Sequence, residues 1–183
     1  MLLLVFQTLY FLLPAYIANM APVVVHRLGL LPRLNLPIDR GYILRGARLI
    51  GETKTWRGII VGIATAMSVG TIQYFLWHFN IIKLHTVVDF SIVDPIAFGF
   101  IGGVGAMGGD LVKSIIKRRF KIHSGQPWPV FDQLDFVLGY LILTSFLVTI
   151  RPAIFVIALL ATLILHPLVN IIAFWLRLKK VWW

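Results

Sequence analysis

The chain has 183 residues, of which 59% are hydrophobic, and its mean hydropathy is +0.89. A soluble domain of this length cannot bury so much apolar surface, so the composition indicates a membrane protein. The formal net charge of +10 invites a nucleic-acid-binding interpretation. Positive charge in membrane loops accounts for it more simply, and no nucleic-acid partner is expected.

Five apolar windows follow one another along the chain. Backbone groups in lipid must be hydrogen-bonded within the protein, so each window is expected to be a helix. The sequence therefore predicts an all-α polytopic membrane protein with five transmembrane helices and a single domain over residues 1–183. The first window is expected to be retained, because no basic residue precedes it and no small-residue cleavage site closes it. The windows are residues 2–25, 58–79, 95–109, 133–150 and 152–176.

The basic residues are concentrated in alternate loops. Segments 26–57 and 110–131 and the tail after residue 176 hold 15 of the 17 lysines and arginines, and only Lys83 and Arg151 fall elsewhere. Positive charge stays on the cytoplasmic side. We therefore expect an outside N-terminus, a cytoplasmic C-terminus, and cytoplasmic loops at about 26–57 and 110–131 of a cell-membrane protein.

Segment 51–58 precedes the second window with small, hydroxyl and basic residues. Lys54, Thr55 and Arg57 suit phosphate binding beside a helix N-terminus, where free amides and the helix dipole favour anions. Walker spacing is absent, so this is not a P-loop. A plain helix N-cap at Thr53 or Thr55, with a topogenic arginine, is an equally good interpretation.

The third window is rich in glycine. Gly99 with Gly103, and Gly105 with Gly109, form G-x-x-x-G pairs, which favour close helix packing. The same span is a possible interface for a homodimer. A thin helix that lets substrate lie against the backbone is the functional alternative.

The second cytoplasmic loop begins with a regular spacing of charged residues. If residues 110–121 are helical, a carboxylate at the membrane end and the cations beyond it share one face with a serine. These residues are Asp110, Lys113, Ser114, Lys117, Arg118 and Lys121.

Asp132 and Asp135 are three residues apart at the start of the fourth window, so they also share a face. Carboxylates at the edge of an apolar span are functional candidates by default. Mg²⁺ takes oxygen ligands from one or two carboxylates and from substrate phosphates. The pattern therefore favours a magnesium site over the alternative of a solvated basic flank with two helix caps.

At these residues the sequence resembles the membrane cytidylyltransferases that make CDP-activated lipids. Their carboxyl-terminal signature has a Ser, a Lys-Arg pair, a Ser-Gly turn, a Pro and an Asp-Arg-x-Asp, after an upstream Gly-Asp. Their second motif, near Ser-Pro-Lys-Lys-Thr-x-Glu-Gly, is matched in segment 52–58 by Lys54, Thr55 and Gly58. The signature is matched by Asp110, Ser114, Lys117, Arg118, Ser124, Gly125, Pro129, Asp132 and Asp135.

The departures from these motifs point to one branch of the family. Gln133 replaces the arginine between the two aspartates, and Arg57 replaces the glutamate of the second motif. The His-Gly-Gly that precedes the first aspartate in the family is missing before Asp132. The sequence is more similar to the archaeal branch, CDP-archaeol synthase, because it combines Lys-Thr-Trp-Arg-Gly with Asp-Gln-Leu-Asp and five predicted spans.

The resemblance implies that CTP and an isoprenoid glycerol phosphate lipid, 2,3-di-O-geranylgeranylglyceryl phosphate, give CDP-archaeol and pyrophosphate with Mg²⁺. It also implies a homodimer. On this hypothesis Asp110, Asp132 and Asp135 hold the metal. The triphosphate is bound by Lys117, Arg118 and Lys121, with Ser114 beside them, and the lipid phosphate or cytidine by Lys54, Thr55 and Arg57.

Two alternatives remain open. A CDP-alcohol phosphotransferase also uses aspartates and metal at the membrane edge, although its longer Asp-Gly…Ala-Arg…Gly…Asp…Asp pattern is not visible. From a different class, the chain is a non-catalytic membrane subunit or a small transporter, which predicts no metal-dependent binding of CTP.

Overall fold

The computed structural model describes residues 1–83, 85–178 and 181. Within them the regular secondary structure is almost entirely helical, which confirms the predicted all-α class. A 3₁₀ turn at Pro32–Leu34 and a two-stranded hairpin, β1 (Ile43–Leu44) with β2 (Ala47–Arg48), interrupt the first loop. The helices are α1 (Leu2–Arg27), α2 (Trp56–Trp77), α3 (Asn80–Lys83), α4 (Pro95–Arg119), α5 (Phe131–Thr144) and α6 (Pro152–Trp175).

Four helices of the described chain, α1, α2, α4 and α6, are long and apolar enough to cross a membrane. The prediction of a multi-pass membrane protein is confirmed. The window at 133–150 is helical only over Phe131–Thr144, so its predicted helix is too long, and the fifth crossing stays a prediction. The 14 residues of α5 extend about 21 Å, less than the hydrocarbon thickness of about 30 Å. The apolar stretch continues to residue 150 although the helix ends at Thr144.

Lys179 and Lys180, which were counted among the basic residues of the tail, lie outside the described residues.

Helix α4 is packed tightly between α2 and α5. A Cβ on Gly103 would stand 2.9 Å from Cα of Ile63 in α2, and one on Gly105 would stand 2.9 Å from the carbonyl carbon of Gly139 in α5. The predicted role of the glycine pairs in close packing is confirmed. Because both pairs are used within the chain, they do not supply the interface of a homodimer.

Helix α1 continues through Pro14, which has no N–H to donate to the carbonyl of Tyr10. Gln73 of α2 donates from Nε2 to that carbonyl oxygen at 2.6 Å, and Tyr140 of α5 donates from its hydroxyl to the Phe11 carbonyl at 2.6 Å. Neighbouring helices thus hydrogen-bond the backbone that the proline disturbs, as a nonpolar environment requires.

The first loop is folded around Asp39, which is 8% exposed. Its carboxylate accepts hydrogen bonds from Arg48 at 2.7 Å and from the amides of Gly41, Ile50 and Gly51 at 2.9–3.1 Å. Burial acts to raise the pKa of Asp39, but Arg48 and the amides outweigh it and hold the pKa well below its usual range.

The C-terminal end of α4 fixes this folded loop in place. Arg119 donates to the carbonyls of Leu44 at 2.6 Å and Arg48 at 2.8 Å, and Arg118 donates to the Ile50 carbonyl at 3.1 Å. Gly51 has a φ of +126°, and a Cβ added to it would lie only 3.2 Å from the Arg118 Nε. The segment that follows Gly51 is thereby directed to the membrane-side part of α4.

Candidate active site

The three predicted metal-binding aspartates lie together, and a lysine stands between them. Asp110 is on α4, while Asp132 and Asp135 are in the first turns of α5. The Nζ of Lys113 is 3.3 Å from Asp110 Oδ1, 2.8 Å from Asp132 Oδ1 and 2.8 Å from Asp135 Oδ2. One ammonium group therefore contacts carboxylates from two helices.

Two further lysines flank this arrangement. Lys54, from the first loop, forms an ion pair with Asp110. Lys117 lies 3.0 Å from both carboxylate oxygens of Asp132 and donates to the Gln126 carbonyl at 2.6 Å.

Three cations thus face three anions in a part-buried site. Charges at a membrane edge are stable when paired in this way and unfavourable when left alone. We call this set the carboxylate–lysine cluster: Lys54, Asp110, Lys113, Lys117, Asp132 and Asp135.

Asp135 is the most buried carboxylate of the cluster, with 8% of the residue exposed. Its Oδ1 accepts a hydrogen bond from the amide of Phe136 at 2.6 Å. Its buried Oδ2 has no hydrogen-bond partner among the described residues, although Lys113 Nζ lies 2.8 Å away. The angle of that approach is poor, so the contact is an ion pair without a hydrogen bond, and lone pairs of Oδ2 remain available.

The donor set fits a hard divalent cation, because it consists of carboxylate oxygens, one of them buried without a hydrogen bond. Within residues 1–83, 85–178 and 181, however, no group of three acidic or histidine side chains is arranged so that it could hold an ion as it stands. The physical reason is visible in the cluster: the carboxylates are spaced around an ammonium group, whose contacts are longer than metal–oxygen bonds.

A cavity of about 650 Å³ opens between the first loop and the segment at the end of α4 and after it. A hydrogen-bonding contact between Thr53 Oγ1 and Ser124 Oγ, 3.3 Å apart, joins the loops. Lys117 of the cluster adjoins Arg118 of the cavity wall. The volume is in the range of ligand pockets. We call it the basic cavity, after the cations in its lining: Arg45, Arg48, Arg118, Arg119 and Lys121.

The predicted charged face of 110–121 is wrong in its last turn. Helix α4 ends at Arg119, and Lys121 has a φ of +59°, so it leaves the helical stripe. Lys121 nevertheless lines the basic cavity. Ser114 is buried and donates to the Asp110 carbonyl at 2.8 Å, so it faces its own helix and not the cavity.

The segment before α2 is divided between two roles. Lys54 reaches the cluster, whereas Thr55 is the N-cap of α2 and accepts from the Gly58 amide at 3.3 Å. Arg57 is 5% exposed and donates to the Leu30 carbonyl at 3.0 Å and to His26 Nδ1 at 2.8 Å. The structure therefore does not bring Arg57 to the cluster, and the N-cap interpretation of Thr55 is confirmed.

Lys113 is the central residue that the motif comparison missed. In the sequence it is one of several cations on a basic helix and belongs to no matched motif position. Its spacing of three residues from Asp110 was the available signal, since that spacing allows an ion pair on one helix. Its contacts with Asp132 and Asp135 depend on how α5 packs, which the sequence does not state.

Comparisons with known proteins identify the family of the chain. A family model described as CarS-like CDP-archaeol synthase matches residues 1–183. A CDP-archaeol synthase of Methanocaldococcus jannaschii is 40% identical over 183 residues, covering 98% of each chain. One of Methanothermobacter thermautotrophicus is 41% identical over 180 residues, covering 98% of this chain and 94% of its own.

A solved structure points the same way. It is described as an intramembrane enzyme for archaeal membrane lipids biosynthesis, and it superposes with a TM-score of 0.72 at 33% identity. The match covers 88% of this chain and 91% of the solved one. Full-length similarity in sequence and in fold leads to one conclusion: the chain belongs to the CDP-archaeol synthase family.

Proposed function

We propose that this chain catalyses the CTP-dependent formation of CDP-archaeol at the carboxylate–lysine cluster. The substrates are CTP and 2,3-di-O-geranylgeranylglyceryl phosphate, and the second product is pyrophosphate. The observation that carries the assignment is the convergence of three carboxylates from α4 and α5 on one site. Family membership supports the same reaction.

In this reaction an oxygen of the lipid phosphate bonds to the α-phosphorus of CTP, and the bond from that phosphorus to the bridging oxygen of pyrophosphate breaks. A phosphomonoester is already largely ionised near neutral pH, so no general base is needed. The residues that would hold Mg²⁺ are Asp110, Asp132 and Asp135. When bound, this ion would supply positive charge for the α-phosphate and the leaving pyrophosphate.

The basic cavity is the binding place for the triphosphate in this proposal. Arg45, Arg48, Arg118 and Lys121 bring positive charge from both loops to one space. Lys117 is already bound to Asp132, so its role shifts from holding the triphosphate to holding that carboxylate. Lys54 stands at Asp110 and is the cation nearest to a phosphate that enters between the loop and α4.

The lipid has a path to the cluster from the side. Val112 and Ile116 on α4 and Phe131 at the start of α5 are 41–56% exposed next to the charged residues. Apolar side chains exposed beside a polar site suit isoprenoid chains that remain in the bilayer while the phosphate enters the cluster.

We also propose five crossings, with the cluster on the cytoplasmic side of the cell membrane. Thr149 and Arg151, which follow α5, line a cavity together with Gln7 of α1 and Thr86. Gln7 lies in the second turn of α1, far from the end of α1 that leads into the basic first loop, so α5 and the seven residues up to Arg151 would form one of the five crossings. The basic loops then lie inside. A homodimer remains a prediction that rests on resemblance.

The test is a product analysis with purified protein in lipid nanodiscs. CTP, Mg²⁺ and the geranylgeranyl lipid phosphate should give CDP-lipid and pyrophosphate in equal amounts, identified by mass spectrometry. A CDP-alcohol phosphotransferase would instead release CMP from a CDP-lipid and an alcohol. CMP release without any pyrophosphate from CTP would overturn the proposal.

A further inference from the structure

Lys113 occupies the one point that all three carboxylates of the cluster approach. Its side chain is 13% exposed, and its Nζ lies 2.8–3.3 Å from an oxygen of Asp110, Asp132 and Asp135. Lys54 and Lys117, by contrast, are paired with Asp110 and Asp132 respectively. Lys113 is therefore the cation of the described cluster that joins α4 to both carboxylates of α5.

A divalent cation that these carboxylates ligate needs the same space. Mg²⁺ holds its oxygens at about 2.0–2.1 Å, in a shell that an ammonium group cannot share. The two positive charges would also repel each other at such a distance in a part-buried site. Metal binding by all three carboxylates and the present position of the Lys113 ammonium are mutually exclusive.

We propose that Lys113 is a built-in counter-cation that holds the three carboxylates together in the metal-free protein and competes with the divalent cation for them. This rests on the proposed function, in which the same carboxylates bind the metal. Lys113 is on this view a positioning residue: it keeps three like charges from separating α4 and α5, and it leaves when the ion enters.

The surroundings of the Asp135 Oδ2 atom are consistent with replacement of the Lys113 ammonium by a divalent cation. Oδ2 is in ion-pair distance of Lys113 but accepts no hydrogen bond among the described residues. A long, flexible lysine stem can withdraw without breaking a directed bond at that atom. The cluster also contains equal numbers of acidic and basic side chains, three of each, so each carboxylate has a lysine partner before the ion enters.

The experiment measures affinity for metal alone, without nucleotide or lipid. Mn²⁺ binding is followed by the electron paramagnetic resonance of the free ion, and Mg²⁺ binding by calorimetry. Lys113→Met should bind Mn²⁺ at least tenfold more tightly than the unaltered protein. It should also melt at a lower temperature in EDTA and recover when Mn²⁺ is added.

Lys117→Met is the matched control, because it removes the same charge from a lysine that pairs with Asp132. Because Lys117 pairs with one of the three carboxylates, its removal should raise the affinity clearly less than Lys113→Met does. Lys83→Met should not change the affinity, since Lys83 lies on the Trp77 ring at the far end of α2. An equal gain in Lys113→Met and Lys117→Met would overturn the proposal, since simple loss of charge would explain both.

The outcomes separate this inference from the proposed function. Metal binding of equal affinity in the unaltered protein and in Lys113→Met overturns the role of Lys113 and leaves the metal site standing. Absence of metal binding in every variant overturns both.

A second measurement uses the unaltered protein, in case Lys113→Met does not fold. Acetylation of Lys113 by acetic anhydride, followed by mass spectrometry, should rise severalfold when Mn²⁺ saturates the site. Unchanged labelling at saturation contradicts the exchange.

Discussion

Gly109 on α4 lies directly against the backbone of Asp135 on α5, so close that a methyl group on the glycine would overlap the Asp135 carbonyl oxygen. The same contact therefore sets the helix separation and the position of a proposed metal-binding carboxylate. Asp110, the next residue along α4, faces the cluster from the other side. The packing of α4 against α5 and the geometry of the site therefore depend on the same contact.

Gly109→Ala should consequently reduce both stability and activity. Overpacking of this kind costs about 1–3 kcal/mol of unfolding free energy, whereas a displacement of reacting groups by about 1 Å can cost about 100-fold in rate. CDP-lipid formation and melting temperature are measured together. Gly108→Ala is the control, because no atom lies within 4 Å of the added Cβ; equal losses in both variants would contradict the role of the contact.

Asp132→Asn and Asp135→Asn should each lower turnover by at least about 100-fold, which is the usual effect of removing one group that stabilises transition-state charge. Both proteins should remain folded, because the amide keeps the size of the carboxylate. Asp89→Asn is the control: Asp89 binds Ser91 in the loop before α4, away from the cluster. Full activity in both cluster variants would remove the metal assignment.

The first loop depends on the charge of Asp39. Asp39→Asn should destabilise the loop by about 1–3 kcal/mol, because one hydrogen-bonded ion pair is lost and buried amides are poorly satisfied. Limited proteolysis of the loop reports this change. Glu52→Gln is the matched control, since Glu52 is exposed and pairs with the same Arg48 at 3.0 Å. Its effect should stay below about 1 kcal/mol.

The same contact has a definite pH dependence. Because the folded loop holds the pKa of Asp39 below its usual range, its stabilisation is complete above the unfolded value of about 3.9. It is lost as the pH falls through the lower folded value. The difference between the unaltered protein and Asp39→Asn should therefore be constant at neutral pH and shrink in strong acid. A difference that grows on acidification would reverse the assignment.

Hydropathy located α1, α2 and α6 within two residues at each end, because their apolar runs coincide with the helices. It failed where helix and apolar run differ: α4 continues through charged residues to Arg119, and α5 stops at Thr144 inside an apolar stretch. The close pairing of Asp110 with Asp132 and Asp135 was predicted from motif order. The central position of Lys113 and the hydrogen bond from Arg57 to His26 were not predicted, because both depend on contacts between elements distant in sequence.

Gln73 and Pro14 are expected to be energetically coupled. Gln73→Leu leaves the Tyr10 carbonyl without the donor that Pro14 cannot provide, at a cost of about 0.6–1.7 kcal/mol for a hydrogen bond between membrane helices. In a Pro14→Ala background the alanine N–H bonds that carbonyl, so the same substitution should cost clearly less. Unfolding in mixed detergent measures the cycle, and equal costs in both backgrounds would show that the two residues act independently.

Substitution of Lys121 should weaken binding of the triphosphate without slowing the chemical step. Lys121 lines the basic cavity beyond the end of α4 and is exposed. Lys121→Gln should therefore raise the KM for CTP about fivefold, which is equivalent to about 1 kcal/mol for one exposed charge contact. The kcat should change little. Lys117→Gln should lower kcat instead, because Lys117 holds both oxygens of Asp132. Arg151→Gln, at the cavity near Gln7, is the control and should alter neither constant. A fall in kcat without a change in KM for Lys121→Gln would place the triphosphate away from the basic cavity.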